Sequence, residues 1–231
     1  MPLSGWCAIV TAAGQGRRFG GRKQLVELRG RPLVEWCVAT FAALEEIRAI
    51  VVACEPDELA RMIELLTPAA AGKLAAVVPG GPTRQESVAR GLTAVPSQCE
   101  GIFVHDGARP LVSAADVRAT LLAARPGRAA VLASPVVDTI KRVDERGRVV
   151  ETLPRSELWA ATTPQAFAAE DLRAAHRAAA AAGVLQTDDV ALAERLGIET
   201  VVVAAQSPNP KVTHPFDLDV VERLAESHGY R

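Results

Sequence analysis

The chain has 231 residues, a formal net charge of −1 at pH 7, 49% hydrophobic residues and 23% charged residues. This composition is typical of a globular protein, and the length suits one large domain or one domain with an appendage. A nearly neutral chain lacks the strong positive charge of a general nucleic-acid-binding domain, and no run approaches the ~18 apolar residues of a membrane span. We therefore expect no nucleic-acid partner and no membrane association.

The N-terminus and the cysteines indicate the compartment. The first residues, MPLSGWCAIVTAAG, lack the basic start and the full apolar stretch of a secretory signal. The four cysteines are scattered without a CxxC pair, and three of them sit in apolar runs. This favours small core residues over a zinc site or a disulfide framework. A cytoplasmic protein is the expectation.

Strands and helices alternate over the first 134 residues. Helices are predicted at 32–43, 57–66, 83–94 and 113–124, and the third of these opens with the capping-box pattern Thr83-x-x-Glu86. Short apolar strands are predicted at 6–11, 49–54, 74–78, 101–105 and 129–134. Near-continuous apolar strands separated by helices indicate a parallel sheet that is covered on both faces. The predicted fold class is therefore α/β, with a doubly wound, mostly parallel Rossmann-like sheet that binds ligands at the carboxyl ends of its strands.

The alternation stops at Pro135. Residues 139–144 and 148–153 form two segments of alternating polar and apolar residues, joined by Glu145-Arg146-Gly147, which predicts a β-hairpin. Helices at 169–182, 188–196 and 216–228 and a strand at 199–204 complete the pattern. No linker between independent domains is visible, so we expect one domain over 1–231. A hairpin alone is marginally stable, and we expect 136–156 to project as an arm that packs against a second subunit.

The predicted first strand runs into a glycine-rich, basic segment, TAAGQGRRFGGRK at 11–23. Glycines at this place let backbone N–H groups approach a phosphate. Two standard motifs do not fit, because Phe19 occupies the third glycine position of GxGxxG and Arg22 follows Gly21 where a P-loop has lysine. Four cations within seven residues favour a site that acts on a triphosphate over a merely tight connection.

A second candidate site is the segment His105-Asp106-Gly107-Ala108-Arg109-Pro110. An aspartate at the carboxyl end of a strand is well placed to hold Mg²⁺ on phosphates, and the alternative is a turn-forming or capping residue. Arg109 could clamp a second phosphate or pair with a carboxylate. His105 could act as a base, although a lone histidine is more often a hydrogen-bonded structural residue.

Three smaller groups complete the candidates. Gly80 and Gly81 could form a floor for a nucleoside with Ser87, or an ordinary strand-to-helix turn. Lys211 follows the last predicted strand, which places it at the same sheet edge as Asp106. The hairpin region carries a polar set whose alternative role is a solvated surface: Thr139, Lys141, Arg142 and Arg155.

In combination these motifs resemble the 2-C-methyl-D-erythritol 4-phosphate cytidylyltransferase family. Each motif is weak by itself, but together they follow the family's order over essentially the whole chain. They are AAGxGxR at 12–18, Lys23-Gln24, GG…S at 80–87, HDGARP at 105–110, DTIK at 138–141, TPQ at 163–165, TDD at 187–189 and KVT at 211–213.

The resemblance implies a role for each matching position. The implied nucleotide-binding residues are Ala12, Ala13, Gly14, Gly16, Lys23, Gly80, Gly81, Ser87 and Asp106. The implied ligands of the sugar phosphate are Asp106, Arg109, Thr139, Arg155, Thr187 and Lys211, with Thr139 and Arg155 coming from the partner's hairpin in a homodimer. Asp106 is the implied magnesium ligand. The implied catalytic residues are Arg18 and Lys23, which stabilise charge on the α-phosphate, and Arg155 and Lys211.

The implied reaction is transfer of CMP from CTP to 2-C-methyl-D-erythritol 4-phosphate, with Mg²⁺ or another divalent cation as cofactor. The products are 4-diphosphocytidyl-2-C-methyl-D-erythritol and pyrophosphate, in non-mevalonate isoprenoid synthesis. One alternative is a ribitol 5-phosphate cytidylyltransferase, which shares the nucleotide motifs. Another is a nucleotide-binding module without turnover, which the presence of both Arg18 and Lys23 disfavours. Phe19 disfavours a dehydrogenase.

Lys23 is expected to act mainly on the transition state, because it follows a phosphate-type glycine loop. Removing one preorganised charge of this kind costs ~10²–10³-fold in rate. Lys23→Ala should therefore lower kcat much more than it weakens CTP binding, as measured by steady-state kinetics and by calorimetry with CTP. A change confined to KM would contradict this role.

Overall fold

The computed structural model describes residue 3, residues 5–14, residue 19 and residues 25–227. A seven-stranded sheet has the order β11-β7-β10-β6-β1-β4-β5, and two separate two-stranded sheets are β2-β3 and β8-β9. The strands are β1 Trp6–Ala12, β2 Glu27–Leu28, β3 Arg31–Pro32, β4 Ile47–Cys54, β5 Leu74–Pro79, β6 Gly101–Asp106, β7 Arg128–Pro135, β8 Lys141–Val143, β9 Val149–Thr152, β10 Trp159–Ala168 and β11 Glu199–Ala204.

Helices cover both faces of the sheet. Along β1, Ala8 and Val10 point into one apolar cluster with residues of α1, α2 and α4, while Cys7 and Ile9 point into a second cluster with residues of α3, α5 and α6. This period of two, on a strand that is buried on both faces, confirms the predicted doubly wound α/β class. The helices are α1 Leu33–Ala42, α2 Leu59–Ala69, α3 Arg84–Leu92, α4 Ala114–Ala123, α5 Ala169–Ala181, α6 Asp189–Arg195 and α7 Asp217–Ser227.

Strand β10 is absent from the sequence-based prediction. It lies between β6 and β7 and runs antiparallel to both. Proline is unfavourable within a central strand because it cannot donate a ladder hydrogen bond, and Pro164 stands in the middle of this one. The structure accommodates it where the register with β7 shifts between Ala161 and Gln165. The register shift therefore lets the strand continue through the proline.

The predicted hairpin is present but shorter than the sequence pattern indicates. Its strands, β8 and β9, pair only with each other, and every residue in them is exposed. Lys141 Nζ donates to Thr152 Oγ1 at 2.7 Å, and Arg142 pairs with Glu151. Val149 and Val150 are about 60% exposed. The hairpin is thus held within the chain by its own backbone and by cross-strand polar pairs.

The carboxyl edge of the parallel strands gathers several predicted site residues. Thr11 of β1 pairs in register with Asp106, the last residue of β6. The segment after β11 is drawn to the same edge, because the buried carboxylate of Asp116 in α4 accepts hydrogen bonds from the backbone N–H groups of Gln206 and Ser207. The N–H of Val212 then donates to the carbonyl of Ala108 at 2.9 Å.

Two composition-based expectations can be compared with the described residues. All four cysteines are buried, which confirms the prediction of small core residues for the three that sit in apolar runs. No helix in the described ranges has the length and hydropathy needed to cross a bilayer.

Candidate active site

Asp106 is the centre of a cationic cluster at the carboxyl edge of the sheet. Its Oδ1 accepts a hydrogen bond from Arg84 Nε at 3.0 Å, and its Oδ2 accepts one from Lys211 Nζ at 2.8 Å. Arg109 Nε lies 3.6 Å from the same Oδ2. The cluster therefore joins the start of α3, the loop after β6 and the loop after β11 through one carboxylate.

Charge compensation keeps this carboxyl ionised. Burial opposes ionisation of Asp106, but the charges of Arg84, Lys211 and Arg109 outweigh it, so the pKa of the carboxyl lies far below its usual value. Three cations and the two carboxylates that they contact, Asp106 and Asp189, leave one net positive charge. A partly buried site with excess positive charge favours an anionic ligand.

Arg84 contacts two carboxylates at once. Its Nη1 donates to Asp189 Oδ2 at 2.6 Å, while its Nε binds Asp106. Asp189 is buried, and its other oxygen lies 3.0 Å from Nε2 of the buried His176. Burial opposes ionisation of Asp189 as well, but the Arg84 charge and the His176 hydrogen bond lower its pKa. Arg84 thus bridges two ionised groups on separate elements.

Three buried polar atoms around this cluster have no hydrogen-bond partner within the described part of the chain. They are Arg84 Nη2, Arg109 Nε and Asn209 Oδ1. Buried polar atoms are nearly always paired, so a concentration of unpaired ones needs an explanation. Asn209 Oδ1 is an acceptor. Arg84 Nη2 and Arg109 Nε are donors, and Arg109 Nε lies beyond hydrogen-bond distance of Asp106 Oδ2 at 3.6 Å. Unpaired donors beside a cationic cluster are well suited to oxygen atoms of a ligand.

His105 supports the backbone of Asp106, and both of its ring nitrogens are engaged in hydrogen bonds. Its Nε2 lies 3.0 Å from the carbonyl of Arg109, which can only accept, so Nε2 carries the proton. Its Nδ1 then accepts from Thr163 Oγ1 at 3.1 Å, and Thr163 Oγ1 accepts from the N–H of Asp106 at 3.1 Å. Burial lowers the pKa of His105 to about 4, so the ring is neutral near pH 7.

The glycine positions bring two loops into close contact. Ala12 ends β1, Ala13 and Gly14 follow it, and a Cβ atom placed at Gly80 would collide with the side chain of Ala13. Glycine at position 80 therefore lets the loop after β5 approach the loop after β1. Ser87 Oγ accepts from the N–H of Gly81 at 3.0 Å and donates to the carbonyl of Thr83 at 2.9 Å. Its hydroxyl shapes the Gly80–Gly81 turn.

The remaining predicted residues fall into three groups. Gly16, Arg18 and Lys23 lie outside the described residues. Thr187 is exposed and immediately precedes Asp188, which caps α6 by accepting from the N–H of Ala191 at 3.1 Å. Within residues 25–227, no hydrogen bond or ion pair joins the hairpin residues to the Asp106 cluster, and Arg155 Nη1 donates to the Val137 carbonyl beside them.

Lys211 is held in place by its neighbours in the loop. Asn209 Nδ2 donates to the carbonyl of Thr163 at 2.8 Å, and Arg109 Nη1 donates to the carbonyl of Asn209 at 2.7 Å. Together with the Asp116 contacts to the start of the loop, these bonds fix the backbone before the lysine, and the bond from the Val212 N–H to the Ala108 carbonyl fixes it after the lysine.

Sequence reasoning assigned no site role to Arg84, Asp189, Thr163 and Asn209, although Thr163 and Asp189 lie within motifs that carry the family resemblance. Arg84 stands inside the predicted capping box, which forms as expected with the N–H of Glu86 donating to Thr83 Oγ1. The first turn of a helix disfavours a cation, so an arginine there was a signal that a carboxylate compensates it. In the pair Asp188-Asp189, Asp188 caps α6, which leaves the Asp189 carboxylate available to bind Arg84.

The site suits a metal ion that takes one ligand from the protein and the others from waters and substrate phosphates. The described residues contain no group of three or more His, Cys, Asp or Glu side chains able to enclose an ion. Asp106 provides one ionised carboxylate beside a phosphate-type cationic site. Mg²⁺ is commonly bound through one or two carboxylates together with waters and substrate phosphates, so Asp106 fits this kind of coordination.

The fold and the site define the chain as an α/β nucleotidyltransferase. A family model described as IspD, 2-C-methyl-D-erythritol 4-phosphate cytidylyltransferase, matches residues 6–227. The chain is 44% identical to the enzyme of that name from Prochlorococcus marinus (strain MIT 9313), over 94% of this chain and 96% of the relative. The chain belongs to the 2-C-methyl-D-erythritol 4-phosphate cytidylyltransferase family.

Solved structures agree with this assignment. The structure of 4-diphosphocytidyl-2C-methyl-D-erythritol synthase from Anaerococcus prevotii superposes with a TM-score of 0.85 at 28% identity, over 96% of this chain and 99% of that one. The cytidylyltransferase structure from Thermus thermophilus has a TM-score of 0.77 at 34% identity, over 98% of this chain and 100% of that one.

The buried His105 makes stability depend on pH. Its pKa is about 4 in the folded chain against a usual 6.5, so the unfolded chain binds more protons between these values and stability falls as the pH drops through that window. Urea denaturation at pH 7.5 and pH 5 should show a loss of about 1–2 kcal/mol from this group. His105→Gln should lose less stability over the same interval, and an equal loss in both proteins would contradict the assignment.

Proposed function

We propose that this chain transfers CMP from CTP to 2-C-methyl-D-erythritol 4-phosphate and releases pyrophosphate. The observation that carries the proposal is the Asp106 cluster, in which Arg84, Arg109 and Lys211 surround one carboxylate at the strand edge. Its surplus positive charge suits two phosphate-bearing substrates. Membership of the family supports the choice of CTP and of this acceptor.

In the proposed reaction a phosphate oxygen of the acceptor attacks the α-phosphorus of CTP. A new P–O bond forms there while the bond between the α-phosphorus and the bridging oxygen breaks, and that oxygen leaves as part of pyrophosphate. A phosphate monoester has its second pKa near 6, so most of it is doubly ionised at neutral pH. The attacking oxygen consequently needs no general base.

The neutral, doubly hydrogen-bonded ring of His105 agrees with this chemistry, since both of its nitrogens are engaged by Arg109 and Thr163. The chain would contribute positioning and electrostatic stabilisation of charge that develops on the transferred phosphoryl group. Lys211 and Arg109 would hold the acceptor's phosphate, and Arg18 and Lys23 would act on the α-phosphate.

Asp106 would hold the divalent cation, and Mg²⁺ is the proposed ion. When bound, Mg²⁺ supplies positive charge to the triphosphate oxygens. The ionised state of Asp106, which the surrounding cations maintain, keeps the carboxylate ready to coordinate it. Arg84 and Lys211 each donate to one of its two oxygens, and a carboxylate offers about four lone-pair sites, so the ion would coordinate beside these contacts without displacing them.

A homodimer is the proposed assembly, with residues 136–156 as the dimerisation arm of a single domain. The exposed valines of β8 and β9 support it, because a lone hairpin buries too little surface to be stable alone. Thr139 and Arg155 are exposed on or beside this arm and would reach the partner's substrate. A cytoplasmic location, where CTP is available, agrees with the proposal.

The acceptor can be tested directly. Pyrophosphate release from CTP should be rapid with 2-C-methyl-D-erythritol 4-phosphate and slow with ribitol 5-phosphate, measured under identical Mg²⁺ and CTP concentrations. Faster release with the ribitol ester would replace the proposed acceptor. Binding of CTP without release in the presence of either ester would indicate the non-catalytic module.

Asp106→Asn should abolish the dependence of CTP binding on Mg²⁺, because the amide keeps the shape of the carboxylate but loses its charge. Calorimetric titration of CTP with and without Mg²⁺ measures this. Asp171→Asn is the matched control, since Asp171 lies in the first turn of α5, beside the opposite edge of the sheet, and accepts a hydrogen bond from the N–H of Gly127. An unchanged metal dependence in Asp106→Asn would leave Asp106 as a structural residue.

The shared active site can be tested by complementation. Chains carrying Arg155→Ala or Arg18→Ala, each nearly inactive alone, are mixed and allowed to exchange subunits. In a heterodimer with shared sites, one site carries both defects and the other carries none. Random mixing should therefore restore about a quarter of wild-type activity.

Subunit exchange must be shown independently, for example by fluorescence transfer between labelled chains. With exchange established, an absence of recovery would mean that Arg155 does not serve the partner's site.

A further inference from the structure

Arg84 connects the start of α3 to the end of β6 and to the start of α6. Of the two carboxylates that it contacts, the proposed mechanism uses only Asp106. Arg84 is the first residue of α3, fixed there by the capping box of Thr83 and Glu86. Its guanidinium contacts Asp106 with one nitrogen and Asp189 with another. Asp106 belongs to the proposed metal and nucleotide site, whereas Asp189 begins α6, two residues after Thr187.

Asp189 is itself rigidly placed. Its side chain is 1% exposed and contacts Nε2 of His176 in α5. Its backbone N–H donates to Gln165 Oε1 at 3.0 Å, and Gln165 Nε2 donates to Asp188 Oδ2 at 3.0 Å. Gln165 is a buried residue of β10, so the start of α6 is fastened both to the central sheet and to α5.

Gln85 ties α3 to the same segment. Its Nε2 donates to the carbonyl of Val184 at 3.0 Å, and its Oε1 accepts from the N–H of Gln186 at 2.9 Å. Arg84 and Gln85 therefore hold the stretch from Val184 to Asp189, which contains Thr187, on both sides. The first turn of α3 connects this stretch to Asp106.

We propose that Arg84 is a positioning residue for cytidylyl transfer: through its bridge from Asp106 to Asp189, it aligns the Asp106 carboxylate and sets its place relative to the Thr187 segment. The inference deepens the proposed function and rests on it. Arginine suits this task because its planar guanidinium presents donors on separate nitrogens in a fixed arrangement, whereas a lysine carries all of its donors on one nitrogen at the end of a flexible stem.

The bridge predicts a particular response to conservative substitution. Arg84→Lys keeps the positive charge but loses the second contact, and Asp189→Asn keeps the shape but loses the charge that anchors the guanidinium. A misplacement of about 1 Å can cost ~10²-fold in rate. We expect kcat to fall ~10–100-fold in both variants, with a smaller change in the KM for CTP.

The control is Arg118→Lys, the same substitution on α4 at an exposed ion pair with Glu46, which should keep wild-type kinetics. His176→Gln, one contact further from the bridge, should give a smaller loss of kcat than Asp189→Asn. If Arg84→Lys does not fold, His176→Gln tests the same bridge through Asp189. Thermal unfolding without ligand shows whether each variant is folded.

Two further readouts separate positioning from a loss of stability. The first is the rise in unfolding temperature that CTP produces with Mg²⁺, compared with CTP in EDTA. Misalignment of Asp106 should reduce the Mg²⁺-dependent part of this rise and spare the part seen in EDTA. The second is the double variant Arg84→Lys with Asp189→Asn, whose loss of kcat should be far below the product of the single losses, because both changes break one bridge.

The inference is overturned if Arg84→Lys and Asp189→Asn lower the unfolding temperature but keep the kcat and the Mg²⁺ response of Arg118→Lys. It is also overturned if the two losses multiply in the double variant. These outcomes differ from a failure of the proposed function, in which the wild-type chain itself releases no pyrophosphate from CTP with 2-C-methyl-D-erythritol 4-phosphate.

Discussion

The compensation of one buried carboxylate organises the active edge of this protein. Asp106 loses hydration at the end of β6, and an ionised carboxylate in that position must be paired. Its three partners, Arg84, Arg109 and Lys211, come from distant parts of the chain. The backbone of each is fixed separately: the capping box fixes Arg84, the bond from His105 to its carbonyl fixes Arg109, and the loop bound by Asp116 carries Lys211. The need to pair the Asp106 carboxylate therefore accounts for how the start of α3 and the loops after β6 and β11 are held together.

Such a cluster is better suited to binding than to stability. The desolvation of several charges offsets much of their attraction, so a buried ion-pair network is weak evidence for a stabilising role. Here the cations exceed the carboxylates, and buried donors on Arg84 and Arg109 remain unpaired within the described residues. A phosphate-bearing ligand would supply the negative charge and the hydrogen-bond acceptors that these groups lack. The arrangement therefore suits a reaction that depends on positioned cations and not on a nucleophile and a base.

Local patterns allowed most of the fold to be predicted, and they failed where tertiary contacts override a local rule. The capping box at Thr83 and the hairpin after Pro135 are local features, and both are present. Strand β10 was missed because Pro164 is a poor central-strand residue by itself. Its burial between β6 and β7, together with a register shift around the proline, compensates that preference. Arg84 was missed because its place in the site depends on contacts with Asp106 and Asp189, which are remote from it in sequence.

The sequence by itself determined the α/β class, the order of most strands and helices and the family, and it marked Asp106, Arg109 and Lys211 as candidate site residues. These follow from apolar periodicity and short motifs, which depend on neighbouring residues. Only the tertiary structure decided that β10 is antiparallel within the sheet, that His105 is a neutral support for the Asp106 backbone, and that Arg84 joins two carboxylates from separate elements. Such contacts depend on how the chain returns to one edge of the sheet, and no local pattern encodes that return.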